Sequence, residues 1–84
     1  MSDTWVVYII QSRATGKLYT GITTDPTRRV REHNGSKRGA KATRTGRPWK
    51  LFFTEKAADK SSALRREASI KKLSRADKIL LGQE

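Results

Sequence analysis

In 84 residues the chain carries 19 Lys and Arg against 8 Asp and Glu, a formal net charge of +11, and no cysteine. That length fits one domain, 1–84, burying roughly 60–65% of its unfolded surface, and the missing thiols exclude disulfides and thiolate metal sites. The longest apolar run is residues 5–10, too short to span a bilayer, and no signal-peptide pattern opens the chain, so the expectation is a cytoplasmic protein without membrane contact whose charge seeks a polyanion.

Residues 5–10 are β-branched and aromatic and read as a strand. Residues 11–17 read as a hairpin loop around Thr15 and Gly16, and residues 18–23 as a second strand, antiparallel to the first. Gly21 inside it suits a bulge or a close approach by another group. Asp25 can cap a helix, and Pro26 at its first position gives up a donor that lacks a partner there anyway. That helix is predicted from Pro26 to about Asn34, stopped by Asn34 and Gly35, which tolerate the left-handed conformation. Residues 36–48 are basic, rich in small residues and without apolar periodicity, and read as a mobile loop. Residues 49–54 form the third predicted strand. A helix then begins at Asp59 or Ser61 and runs to Leu73, and Ser74 caps a last short helix with Asp77 three positions on. The predicted fold class is α+β: a small three-stranded antiparallel sheet flanked by helices, in the order β-β-α-β-α-α.

Five residues stand out as candidates for chemistry. Tyr8 and Tyr19 lie one in each of the first two strands, and side chains alternate faces along a strand. With Val7 and Ile9 toward the core, Tyr8 points to the opposite face, where Tyr19 can join it; the plain alternative is two core aromatics with bonded hydroxyls. Arg29 and His33 are four apart and share a helix face, away from Arg28 and Arg31. An arginine fork fits a phosphate, and a nearby imidazole can move a proton near neutral pH. His33 reads equally as a helix-terminal imidazole that satisfies the last carbonyls. Glu67 falls within the arc of Ala63, Leu64, Ala68 and Ile70, where an unpaired carboxylate is costly. Either Lys71 one turn later pairs with it or a metal such as Mg²⁺ does; the pattern leaves both open. Between Arg28 and Lys50 there are nine basic residues and one acid. Of these, Arg28, Arg31, Lys37, Arg38, Lys41, Arg44 and Arg47 are the candidate phosphate-backbone contacts.

The segments Val6-Val7-Tyr8, Tyr19-Thr20-Gly21, the helix from Thr23 through Arg29 to His33 and Asn34, and the stretch from Leu64 to Leu73 around Glu67 resemble the GIY-YIG nuclease superfamily, in particular its small stand-alone bacterial members. The resemblance spans Trp5 to about Leu81. It implies an antiparallel sheet flanked by helices and a metal-dependent phosphodiesterase acting on DNA. It matches Tyr8 and Tyr19 to the two motif tyrosines, Arg29 to the arginine, His33 to the residue one turn on, and Glu67 to the metal-binding glutamate. Val6 stands where the first motif has its glycine, and Ile22 where some relatives carry a lysine. The function expected is therefore a DNA endonuclease using Mg²⁺ or Mn²⁺, selecting by structure rather than sequence. The alternative is a non-catalytic nucleic-acid binder of the same fold. RNA as substrate, a separate targeting protein, and roles in repair, recombination or defence against mobile elements are all compatible with these residues.

Overall fold

In the computed structural model, residues 4–35 and 40–83 are described. The elements are β1 (Trp5–Ser12), β2 (Leu18–Thr23), α1 (Pro26–Gly35), a 3-10 turn (Lys41–Thr43), β3 (Trp49–Ala57), α2 (Lys60–Lys71) and α3 (Arg75–Leu81). The sheet is antiparallel and three-stranded, as predicted, with strand order β2-β1-β3. No helix among the described residues is long and apolar enough to cross a membrane.

Residues 5–10 of β1 are apolar without interruption because β1 is the central strand and both its faces are covered. Val6 to Ile10 are all buried. On one face Val7 and Ile9 pack with Ala63 and Ile70 of α2, flanked by Phe52, Phe53 and Leu81. On the other face Tyr8 and Ile10 pack with Trp49, flanked by Tyr19 and by Val30 of α1. Burying each large apolar side chain on these faces contributes roughly 1.5–3 kcal/mol. The pairing of β1 with β3 shifts register between Ile9 and Ile10, where Phe53 and Leu51 are the partners. Phe52 is the extra residue of this bulge, which lets two consecutive phenylalanines serve the same apolar cluster.

The caps of the later helices follow the expectation. Asp59 accepts from the Ser62 N–H, and Ser74 accepts from the Asp77 N–H. Four readings need correction. β1 and β3 extend to Ser12 and Ala57, because Ser12 still pairs with Trp49 at one end of the ladder and Ala57 with Trp5 at the other. Gly35 ends α1 without a left-handed backbone; among the described residues only Gly16 and Gly46 have positive φ. The Asn34 side chain instead clamps the Trp49 backbone, donating to its carbonyl at 2.9 Å and accepting from its N–H. The buried stripe of α2 is narrower than the sequence arc: Ala63 and Ile70 are fully buried, whereas Leu64 is 46% exposed and Ala68 is exposed.

The largest correction concerns the predicted mobile loop. Residues 36–39 lie outside the described residues, but residues 40–48 form a hydrogen-bonded strap across α1. The Trp49 indole N–H donates to the Thr43 carbonyl at 2.9 Å, Arg47 Nε donates to the His33 carbonyl at 2.7 Å, and the Ser12 hydroxyl donates to the Gly46 carbonyl. Each bond joins the strap to an element distant in sequence or to the aromatic beside it, so no local periodicity announces it.

Candidate active site

The site begins with strand register. Tyr8 is paired with Gly21, and Ile10 with Tyr19. Residues opposite one another in a ladder share a face, so both tyrosines and Gly21 lie under α1. Gly21 is there because of the phenol: a Cβ on it would come within 2.6 Å of Tyr8 Oη and 2.8 Å of Tyr8 Cζ. Of the two readings of Gly21, close approach is therefore the right one; the β1–β2 register carries no bulge at it.

α1 supplies the other half. Asp25 Oδ1 accepts from the Arg28 N–H at 3.1 Å and starts the helix. Arg29 and His33, one turn apart, then face the sheet. His33 is fully buried and Tyr8 is 1% exposed. Tyr8 Oη lies 2.8 Å from His33 Nε2, and His33 Nδ1 lies 2.7 Å from Thr43 Oγ1. The Tyr19 ring meets the same imidazole edge-on, with centroids 5.2 Å apart. The imidazole thus reaches two phenols and a hydroxyl from the strap, and does not spend itself on helix-terminal carbonyls.

Arg29 donates to Glu32 Oε1 at 2.9 Å, and its guanidinium sits close enough to the Tyr8 hydroxyl to pull that phenol's pKa down. Burial works to lower the pKa of Arg29, but Glu32 and Tyr8 outweigh burial and hold the guanidinium above its ordinary value. A guanidinium only donates. Beside the Tyr8 oxygen it can therefore serve only as a cation or donor, which leaves the Tyr8 proton to His33 Nε2, 2.8 Å away. Both partners are protonated as this requires. Burial raises the Tyr8 phenol to about 12, against the pull of Arg29 and with help from the Tyr19 and Glu67 charges. Burial lowers His33 to about 4, reinforced by Arg29 and Arg47 and opposed by Glu32. The resting pair is a neutral phenol donating to a neutral imidazole.

Glu67 arrives from α2, between the buried Ala63 and Ile70. Its side chain is 19% exposed and its carboxylate lies 3.4 Å from Lys71 Nζ. The ion pair expected one turn on is thus present. It is not a sealed pair, because the Lys71 side chain is 54% exposed and so free to swing into water. Among the causes that raise the Tyr8 phenol the Glu67 charge comes last, and α2 packs on the Val7–Ile9 face of the sheet, opposite to Tyr8.

The candidate backbone contacts divide. Arg28, Arg31, Lys41 and Arg44 are exposed, Arg28 with its Nε 3.9 Å from Glu32. Arg47 is half-buried and its Nε is committed to the His33 carbonyl, which makes it a support of the site. Lys37 and Arg38 lie outside the described residues. Sequence reasoning passed over Glu32 and Thr43. Glu32 was findable, three positions after Arg29 on the same helix. Thr43 was not, since a threonine among basic residues carries no signal of burial.

Residues 4–79 match the GIY-YIG catalytic domain. The chain belongs to the GIY-YIG family. Among its relatives, a UPF0213 protein of Desulfotalea psychrophila is 53% identical over 83% of this chain and 63% of its own length. A UPF0213 protein of Halobacterium salinarum is 53% identical over 89% of this chain and 95% of its own length. The solution structure of a UPF0213 protein from Bacillus halodurans is 41% identical and superposes with a TM-score of 0.56, covering 93% of this chain and 81% of that one. The chain thus spans under two thirds of the Desulfotalea relative and nearly all of the Halobacterium one. Membership of this family suggests nuclease activity.

Proposed function

We propose that this GIY-YIG domain is a divalent-metal-dependent endonuclease that hydrolyses phosphodiester bonds in DNA, selecting targets by their structure. The observation that supports it most is the buried Tyr8 hydroxyl, 2.8 Å from an imidazole nitrogen that can accept its proton and within the influence of the Arg29 guanidinium.

In this mechanism Arg29 meets the non-bridging oxygens of the scissile phosphate and neutralises charge that grows on them in the transition state. A water attacks in line and loses its proton to the Tyr8 oxygen as the Tyr8 proton passes to His33 Nε2. Such a relay needs no resting phenolate, which the raised pKa of Tyr8 disfavours. Tyr19, whose hydroxyl has no protein partner among the described residues, is placed to hold the water or a phosphate oxygen. Arg28, Arg31, Lys41 and Arg44 grip the backbone, a contact that positions a duplex without reading its sequence.

The donor set fits a hard cation. Among the described residues no group of three or more His, Cys, Asp and Glu side chains gathers to cage a metal. One carboxylate, with water and substrate phosphate completing the shell, is a usual arrangement for Mg²⁺ and suits Mn²⁺ as well. Glu67 is the residue that would hold the ion, and the ion would supply positive charge to the reacting phosphate and the leaving oxygen. Incubating the protein with linear, flapped and branched DNA, with Mg²⁺, Mn²⁺ or EDTA, tests the proposal. Metal-dependent cutting that disappears in Glu67→Ala and Arg29→Ala supports it, and cutting that survives both changes rejects this site.

A further inference from the structure

The relay works in one direction only if His33 Nε2 is bare. A neutral imidazole carries one proton on either nitrogen, and hydrogen bonding of the other nitrogen decides which. The second nitrogen, Nδ1, faces Thr43 Oγ1 at 2.7 Å. That hydroxyl has a single proton, and the Ala40 carbonyl accepts it at 2.8 Å. The same carbonyl also takes the Thr43 N–H at 3.0 Å, so both of its lone pairs are used within one tight turn. With its proton turned toward Ala40, the Thr43 oxygen can only accept from His33. Nδ1 must then carry the imidazole proton, and Nε2 is left as an acceptor facing Tyr8.

The opposite end of the chain of bonds gives the same answer. If Nε2 carried the proton, it would donate to Tyr8 Oη, whose other polar neighbour, the Arg29 guanidinium, cannot accept a proton. The Tyr8 proton would then have no acceptor, at a residue 1% exposed. Buried donors are rarely left without an acceptor, and the Nδ1–H form is the one that gives the Tyr8 proton its acceptor.

We infer that Thr43, a buried residue of the strap, is a positioning residue that fixes the Nδ1–H tautomer of His33 and so aims a bare Nε2 at the proton of Tyr8. Thr43 does not touch the substrate in this scheme; it acts through the imidazole. Its own place is set by the Lys41–Thr43 turn and by the Trp49 indole on its carbonyl. The inference rests on the proposed nuclease chemistry for its consequence, while the tautomer itself is independent of any activity.

His33 is the only histidine in the chain, so one ¹⁵N-correlated NMR spectrum of the imidazole reads the tautomer without ambiguity. Wild type and Thr43→Ser, which keeps the hydroxyl, should both show the proton on Nδ1. Thr43→Val, which keeps the shape and removes the acceptor, should move the proton to Nε2. Cleavage should fall about 10²-fold or more in the valine variant, as for loss of general-base catalysis, and be restored in the serine variant. An Nε2–H imidazole in wild type, or an Nδ1–H imidazole in Thr43→Val, overturns the assignment. A moved proton with undiminished cleavage removes the positioning role. Should Thr43→Val not fold, the wild-type and Thr43→Ser spectra still decide the tautomer. A wild type with the Nδ1–H imidazole that cuts no DNA leaves the tautomer in place and overturns the nuclease reading instead.

Discussion

Gly21→Ala isolates the link between strand geometry and chemistry. The added Cβ would stand 2.6 Å from Tyr8 Oη, 2.8 Å from Cζ and 3.0 Å from Cε1. Ordinary contact begins near 3.4 Å, so the hydroxyl must retreat by about 0.8 Å. Retreat is obstructed, because Oη is already 2.8 Å from His33 Nε2 beneath α1. Overpacking of this kind costs roughly 1–3 kcal/mol, and each kcal/mol lowers the melting temperature of a domain this size by about 4–8 °C. A catalytic group displaced by about 1 Å costs on the order of 10²-fold in rate. Thermal melts by circular dichroism and single-turnover cleavage of a DNA substrate measure the two effects. In a Tyr8→Ala background the stability penalty of Gly21→Ala should vanish, since the two changes share one contact. A Gly21→Ala protein that melts and cuts like wild type would refute the placement of the Tyr8 ring over the neighbouring strand.

The remaining predictions address charge, support and pH. Glu67→Gln should abolish metal-dependent cutting yet change stability by only about 0–1 kcal/mol, because its partner Lys71 is largely exposed; denaturant titration and cleavage assays separate the two. Asn34→Ala removes both clamps on the Trp49 backbone and should destabilise the fold by roughly 1–3 kcal/mol in the same titration. Each of Arg28→Ala, Lys41→Ala and Arg44→Ala should flatten the slope of log affinity against log salt by about 0.9 per lost duplex phosphate contact, read by fluorescence anisotropy. His33 has a folded pKa of about 4, below the ordinary 6.5, so the unfolded chain binds the extra proton first. Stability should therefore be complete above pH 6.5 and fall as pH drops toward 4, by about 3 kcal/mol from this group; an imidazole that titrates near 6.5 by NMR contradicts its burial.

Much of this was legible in the sequence because it is local. The alternation around Val7, Tyr8 and Ile9, the Asp25-Pro26 helix start and the i, i+4 spacing of Arg29 and His33 are short-range patterns that set faces directly. Glu67 stood out by its place within an apolar stripe, and the resemblance to the GIY-YIG motifs gave it the expected role of metal ligand. What stayed hidden depends on tertiary partners. The strap over α1 is ordered by Asn34, Trp49 and Ser12, none of them near Thr43 in any periodic pattern. Leu64 and Ala68 look like core on a wheel, but the sheet is narrow and α2 presents only Ala63 and Ile70 fully to it. Of the two alternatives for Glu67 the structure shows the pair with Lys71, and the exposure of that lysine is what the proposed cation role relies on.

The most direct measurement is single-turnover cleavage of branched DNA in Mg²⁺ by wild type, Tyr8→Phe and Glu67→Gln, with binding followed in parallel. Removing one oxygen from Tyr8 should stop cutting and leave DNA affinity within about twofold, because the backbone grip lies in exposed cations elsewhere. Cutting by Tyr8→Phe at the wild-type rate, or binding without any cutting by the wild type, would contradict a relay running from water through the phenol to the imidazole.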